Sequence, residues 1–414
     1  MIFSRSQYLV LVNTWLLGFS MYTAFLNISP IMSLIKDSLN LNFTETGLVF
    51  SIPLAFLAAL AGFGGLVADR IGPRRAAGIG SILLALGNLS RAFSSDLLTL
   101  VAFTSVIGVG LALCFPNLPK IIRVWFPSNF HGTASGIYGT GIMLGSTAAL
   151  AATLPLAYVT PGTWRGVFLI WGAFSLAISA VWWISMKKNP SEESSRPSGG
   201  AARTLRVLRS RSLWVVATIL LLDNIIYYVE VTGLLPFFKG LGIVAESAAI
   251  LQSLVSLAGV PSIILLPVLS DRFRTRKPFL WVAAIISGVS GLALAATPPQ
   301  LVPLNPVVLG VTNASMFLTC LILPIDLFPA NVAGTASGLV ISVGYVGGLI
   351  GPVIAGYLAD VTGGFSFVPV FIGSISLLIA PIALLFLRKT ERAIPSTAER
   401  SPPSSEHAEN FPQS

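Results

Sequence analysis

FPSNFHGTASGIY at residues 126–138 returns as FPANVAGTASGLV at residues 328–340, an offset of 202. A second echo stands at the same offset. Asp69-Arg70-Ile71-Gly72-Pro73-Arg74-Arg75 is answered by Asp271-Arg272-Phe273-Arg274-Thr275-Arg276-Lys277. Two separate stretches matching at one spacing mark an internal duplication of roughly half the chain. The duplicated unit follows from the residues between them. Runs of about 20 apolar residues, each able to cross a ~30 Å hydrocarbon core as a helix, fall at about 8–35, 46–68, 76–93, 97–118, 132–154, 166–186, 212–235, 247–268, 278–296, 306–325, 334–358 and 366–387. The sequence therefore predicts an all-α membrane protein of twelve transmembrane spans in two six-helix halves. An even number of crossings per half makes the halves parallel, related by an axis along the membrane normal. The predicted divisions are an N-terminal half over 1–186, a basic cytoplasmic linker over 187–211, a C-terminal half over 212–387, and a disordered cytoplasmic tail over 388–414.

Composition excludes the other classes. Of 414 residues, 54% are apolar and 10% charged, against about 25% charged in a soluble domain. Two cysteines, Cys114 and Cys320, lie in apolar runs, and there are two histidines, so no disulfide framework, metal site or cofactor is expected. No nucleotide loop or paired acid–base cluster points to an enzyme or an ATP-driven pump. The net charge of +9 resides in short loops and not on one face of a soluble domain, which argues against nucleic acid. Twenty-one of the 25 Lys and Arg residues fall on one side when alternate loops are summed. That asymmetry places both termini in the cytoplasm of a cell membrane protein. Lys36, Arg91, Arg165 and Lys239 are left for the outer side.

The stretch Gly65-x3-Asp69-Arg70-x-Gly72-x-Arg74-Arg75 between spans 2 and 3 resembles the loop signature of the major facilitator superfamily, with Pro73 where a basic residue often stands. The resemblance, carried by the 6+6 repeat and the basic central loop, covers essentially the whole chain. It implies a secondary transporter, working as a monomer by alternating access, in which this loop stabilises one conformation. Carried over, Asp69 would cap span 11 near Gly334-Thr335, and Asp271 span 5 near Gly132-Thr133. Arg70, Arg74 and Arg75, with Arg272, Arg274 and Arg276, would add salt bridges. A narrower resemblance to cyanate/nitroimidazole porters rests on Cys114-Phe-Pro-Asn-Leu-Pro-Lys120, Trp164-Arg165-Gly166, Tyr227-Tyr228 and Leu235-Pro236. The Gly-Pro pair and span-4 arginine of drug/proton antiporters are absent.

Ionisable groups inside spans are costly and functional by default. Only span 7 carries them clearly: Asp223, ten residues in and so about 15 Å deep, and Glu230. Asp223, Tyr227 and Glu230 share one helical face. The two acids are the proton-coupling candidates. Asn27, Tyr138, Asn224, Tyr227, Asn313 and Tyr345 are the candidates for a substrate cavity. No lysine or arginine reads as deeply placed. The leading expectation is a proton-coupled carrier of a small solute, with a small organic or inorganic anion suggested by the porter resemblance. Export of drugs or of neutral or cationic metabolites is the alternative. A transporter-like receptor is a third reading, opposed by the short tail.

Overall fold

A computed structural model describes residues 4–127, 130–187, 208–273, 275–298, 300–328 and 330–386. Those residues form fourteen helices and no strand. The first half holds α1 (Arg5–Leu26), α2 (Met32–Leu39), α3 (Phe43–Ile71), α4 (Pro73–Arg91), α5 (Leu97–Cys114), α6 (Asn117–Trp125), α7 (His131–Val159) and α8 (Trp164–Ser185). The second holds α9 (Arg211–Gly240), α10 (Ala245–Arg272), α11 (Lys277–Leu294), α12 (Leu304–Leu327), α13 (Ala330–Thr362) and α14 (Val368–Phe386). Most of the linker, Arg274 and the tail lie outside the described residues. Among the described residues eleven helices are long and apolar enough to cross a membrane. The twelfth span is α4, made more polar by Arg74, Arg75, Asn88 and Arg91, yet packed between α5 and α8.

Local chemistry sets the helix ends. Ser4, Asn42 and Asp96 open α1, α3 and α5 with capping boxes, each side chain accepting from the backbone N–H three residues on. Gly72, at φ +89°, makes the turn between α3 and α4 that an L side chain rarely adopts. Two expected spans are broken. Span 1 turns at residues 27–31 around Pro30, and span 4 turns at Phe115-Pro116. Proline removes an intrahelical donor and crowds the preceding turn. Such breaks survive at membrane depth only where protein covers the freed backbone groups.

The duplication is visible in the packing. α1 on α7, α3 on α5 and α4 on α8 recur as α9 on α13, α10 on α12 and α11 on α14. The halves meet through α3 against α13 and α7 against α10. One end of this seam is shut. A Cβ on Gly47 would stand 2.2 Å from the Pro352 carbonyl oxygen, and one on Gly356 2.2 Å from that of Phe43. Asp360 on α13 accepts from the Phe43 and Thr44 backbone N–H groups at 2.9 and 2.8 Å, and from the Thr44 hydroxyl at 2.5 Å. Ser29 donates to the Val231 carbonyl, and these two residues are mates at the 202 offset. At the opposite end, where α1, α7 and α13 begin, Gly132, Gly136 and Gly338 have no atom within 4 Å of a Cβ position. Small-residue faces otherwise pack as the spacing suggests: Gly141 and Gly145 lie on α1, and Gly344, Gly347, Gly348 and Gly351 on α9.

Candidate functional site

The centre of the bundle is built on one face of α9. Asp223 is 2% exposed and Glu230 fully buried. Asp223 Oδ1 has no hydrogen-bond donor, and the carboxyl lies near Cys320 on α12. One turn on, the Tyr227 hydroxyl stands 3.3 Å from Ser146 Oγ, itself 2.6 Å from Ser256 Oγ, so α9, α7 and α10 are tied across the seam. Tyr22, Tyr138, Tyr228 and Tyr345 complete a cluster of phenols around this point. Phe115 packs edge-on against Tyr345 at 5.7 Å, at the break in span 4. Towards the shut end, Phe25, Phe50 and Tyr228 close an aromatic layer with centroids 5.2–6.2 Å apart. Asn224 is buried but spends its amide on the Leu220 carbonyl of its own helix.

Glu230 faces two other helices. Asn313 on α12 donates to its Oε2, and Gln252 on α10 donates to the backbone carbonyls of Glu230 and Val231. Asn27 does not join these residues. It sits wholly in the first half, its amide donating to Asn88 Oδ1 at 3.0 Å.

Beside Asn27 lies a group that corrects the sequence reading. No deeply placed lysine or arginine is expected from the sequence, yet Arg91, at the end of α4 assigned to the outer side, has its side chain completely buried. Its Nε donates to Thr104 Oγ1 at 3.0 Å, and one Nη to the Ala24 carbonyl at 3.1 Å and to Asn27 Oδ1 at 3.4 Å. The guanidinium lies 5.5 Å from the Phe168 ring centroid. Its second Nη and Asn88 Nδ2 have no acceptor. No carboxylate is within ion-pair distance among the described residues. The reason is helical direction. Arg91 ends an apolar run, where sequence reads a loop, but its angular position turns it under the broken end of α1. There the C-terminal dipole, worth about half a negative charge, and the freed Ala24 carbonyl receive it.

At the open end, Lys120 donates to Asp69 at 2.7 Å and to the Gly65 carbonyl at 2.9 Å. This partner of Asp69 lies in its own half; the side chains of 330–335 lie outside the described ones. Arg74 stacks on Trp183 at 5.7 Å, and its carbonyl accepts from Trp182. Arg70, Arg75 and Arg272 are exposed. The side chain of Asp271 and all of Arg274 lie outside the described residues. Arg276 pairs with Asp326 at 2.8 Å and reaches Ser270. The two halves thus brace the same loop to their fourth span with opposite polarity. Sequence reasoning missed Lys120 and Asp326 as partners, and Gln252, Ser146 and Ser256 as central polar groups. Gln252 and Ser256, four positions apart on one face of span 8, were the available signal.

A family model described as Major Facilitator Superfamily matches residues 14–338 and 239–409. The chain belongs to the major facilitator superfamily: it is a multi-pass membrane transporter of the secondary class, not an enzyme. It is 28% identical to the probable sulfoacetate transporter SauU of Cupriavidus necator, across 92% of this chain and 94% of that one. It is 25% identical to the 2-nitroimidazole transporter of Escherichia coli K12, across 94% and 97%. Its fold is similar to the solved D-xylose-proton symporter, with a TM-score of 0.74 at 15% identity over 93% and 98% of the two chains.

Proposed function

We propose that this carrier moves a small organic anion together with a proton. The observation that carries the reading is Arg91. A buried ion without a counter-ion costs several kcal/mol, and here the cation keeps one nitrogen, beside the Asn88 amide, without an acceptor. A carboxylate or sulfonate supplies both the missing charge and the missing acceptors. The Ala24 carbonyl that holds Arg91 lies two residues past Tyr22 on α1, the helix whose Tyr22 faces the central tyrosines. Asp223 is the proton carrier: desolvation disfavours a lone carboxylate, and a proton moving with a monovalent anion leaves no net charge to carry. The lysine and arginine asymmetry puts the open end in the cytoplasm of the cell membrane. The similarity to the sulfoacetate transporter favours an anion, whereas the phenol-lined centre is the feature that favours a neutral solute.

The test is a thermal-stability screen of the purified protein at constant ionic strength, since a ligand of the folded state raises its apparent stability. Carboxylates, sulfonates and cyanate are set against sugars and cationic drugs. An anion should stabilise the parent, fail with Arg91→Gln and act partly with Arg91→Lys. Stabilisation by neutral or cationic compounds alone rejects the anion.

A further inference from the structure

Two turns along α9 from Asp223, about 10 Å away, three buried side chains present oxygen and nothing else. Glu230, Gln252 and Asn313, from α9, α10 and α12, are 0%, 1% and 4% exposed. Their hydrogen bonds fix which way each amide points. Asn313 Nδ2 is spent on Glu230 Oε2, and Gln252 Nε2 on the carbonyls of Glu230 and Val231. Both amide oxygens are therefore turned away from those acceptors. Gln252 Oε1, Asn313 Oδ1 and Glu230 Oε1 all lack a donor. Buried polar atoms are nearly always satisfied, and each orphan costs roughly 1–3 kcal/mol. Here three stand on Glu230 and the two side chains bonded to it, a concentration of unsatisfied acceptors that calls for donors or a cation.

We propose that Glu230, Gln252 and Asn313 bind a dehydrated monovalent cation, sodium. Carboxylate and carbonyl oxygens are the ligands of hard cations. Neither a proton nor a water closes the count alone. A proton on Glu230 provides one O–H and satisfies one amide oxygen, leaving the other orphaned. A water offers two donors but no charge, and no lysine or arginine lies within ion-pair reach of Glu230 among the described residues. A protonated Glu230 together with a water is the competing occupant, which responds to pH and not to sodium. A cation drawn to the Glu230 carboxylate neutralises it and can take as ligands the amide oxygens of the two side chains bonded to this residue. The site also touches the seam: the Val231 carbonyl that anchors Gln252 accepts from Ser29 of the other half. Cation binding stiffens α9 where the shut end is joined, so sodium favours the conformation closed there.

The probe is sodium alone, with the full-length protein in detergent. Thermal stability is followed while NaCl replaces choline chloride at fixed ionic strength, at pH 6 and pH 8, alongside saturable binding of ²²Na⁺. Sodium should raise the melting temperature saturably where choline does not. Glu230→Gln, Asn313→Leu and Gln252→Leu should each weaken apparent sodium affinity at least tenfold. Equal shifts in choline, an unchanged response in Glu230→Gln, or a response to pH without one to sodium overturns the proposal. Should the variants fail to fold, absence of saturable ²²Na⁺ binding to the parent overturns it alone. No transport substrate is present, so failure here leaves the anion reading standing, and failure of the anion screen leaves this site standing.

Discussion

Arg91 and Asp223 pose the same question with opposite signs. Each is an ionisable group with almost no exposure and no ionic partner among the described residues, and burying an unpaired charge is costly. That cost is what the proposed transport role would account for. If Asp223 loads and releases the proton, Asp223→Asn should abolish accumulation driven by a pH gradient in proteoliposomes. Exchange of substrate at equal pH should persist, because exchange moves no net proton. Parent-level accumulation in Asp223→Asn assigns the residue a structural role. Tyr227, one turn away, keeps its bond to Ser146 in either case, so the variant should insert and fold normally.

The junction of α13 with α3 is the strongest single link across the shut end. The Asp360 carboxylate caps the α3 N-terminus of the other half with three hydrogen bonds. Caps of this kind contribute roughly 1 kcal/mol, about fivefold in a two-state equilibrium. Asp360→Ala should shift the population by that factor towards the conformation open at this end. Gly47→Ala should act in the same direction, because its methyl meets the Pro352 carbonyl at 2.2 Å and backbone cannot yield without parting the helices. Alkylation of single cysteines flanking the seam reads both effects. Accessibility like the parent's in both variants would mean that the seam is held elsewhere. The charge at Asp360 also sits beside Lys36, whose ammonium lies 4.6 Å from the Phe43 ring centroid. Lys36 and Lys239, one from each half, line the cleft at this end.

Across the molecule, duplication has kept the packing while the loop chemistry has diverged. Asp69 with Lys120 in one half becomes Arg276 with Asp326 in the other. The first pair is a third or a quarter exposed, its side chains at 35% and 24%, so its contribution to stability is about 0.2–1 kcal/mol. A role in transport would come from favouring one conformation over another. Asp69→Lys alone should cut transport severely with expression near normal, and the double variant Asp69→Lys with Lys120→Asp should restore much of it. Rescue in a transport assay identifies the bond within the half as the working contact. A double variant as inactive as the single assigns Asp69 to the α13 cap that the loop resemblance implies.

Twelve spans, a repeat at 202 and an acidic stripe on α9 are written in the order of residues, because hydropathy over 20 positions and the 3.6-residue period are properties of one segment. The candidate acids Asp223 and Glu230 were legible for that reason: no neighbour is needed to see a carboxylate within an apolar run. Arg91 was not, since burial of a residue at the end of a run depends on its angle, on α1 breaking at residues 27–31, and on Thr104 standing opposite. Gln252 and Asn313 likewise read as two isolated amides until α10 and α12 bring them to Glu230. Which end of the bundle is shut belongs wholly to tertiary structure. Gly47 and Gly356 permit close approach, and Gly132 and Gly338 permit it equally well at the other end. Glycine spacing is therefore indifferent to which end closes, and the closed seam is seen only in how the two halves meet.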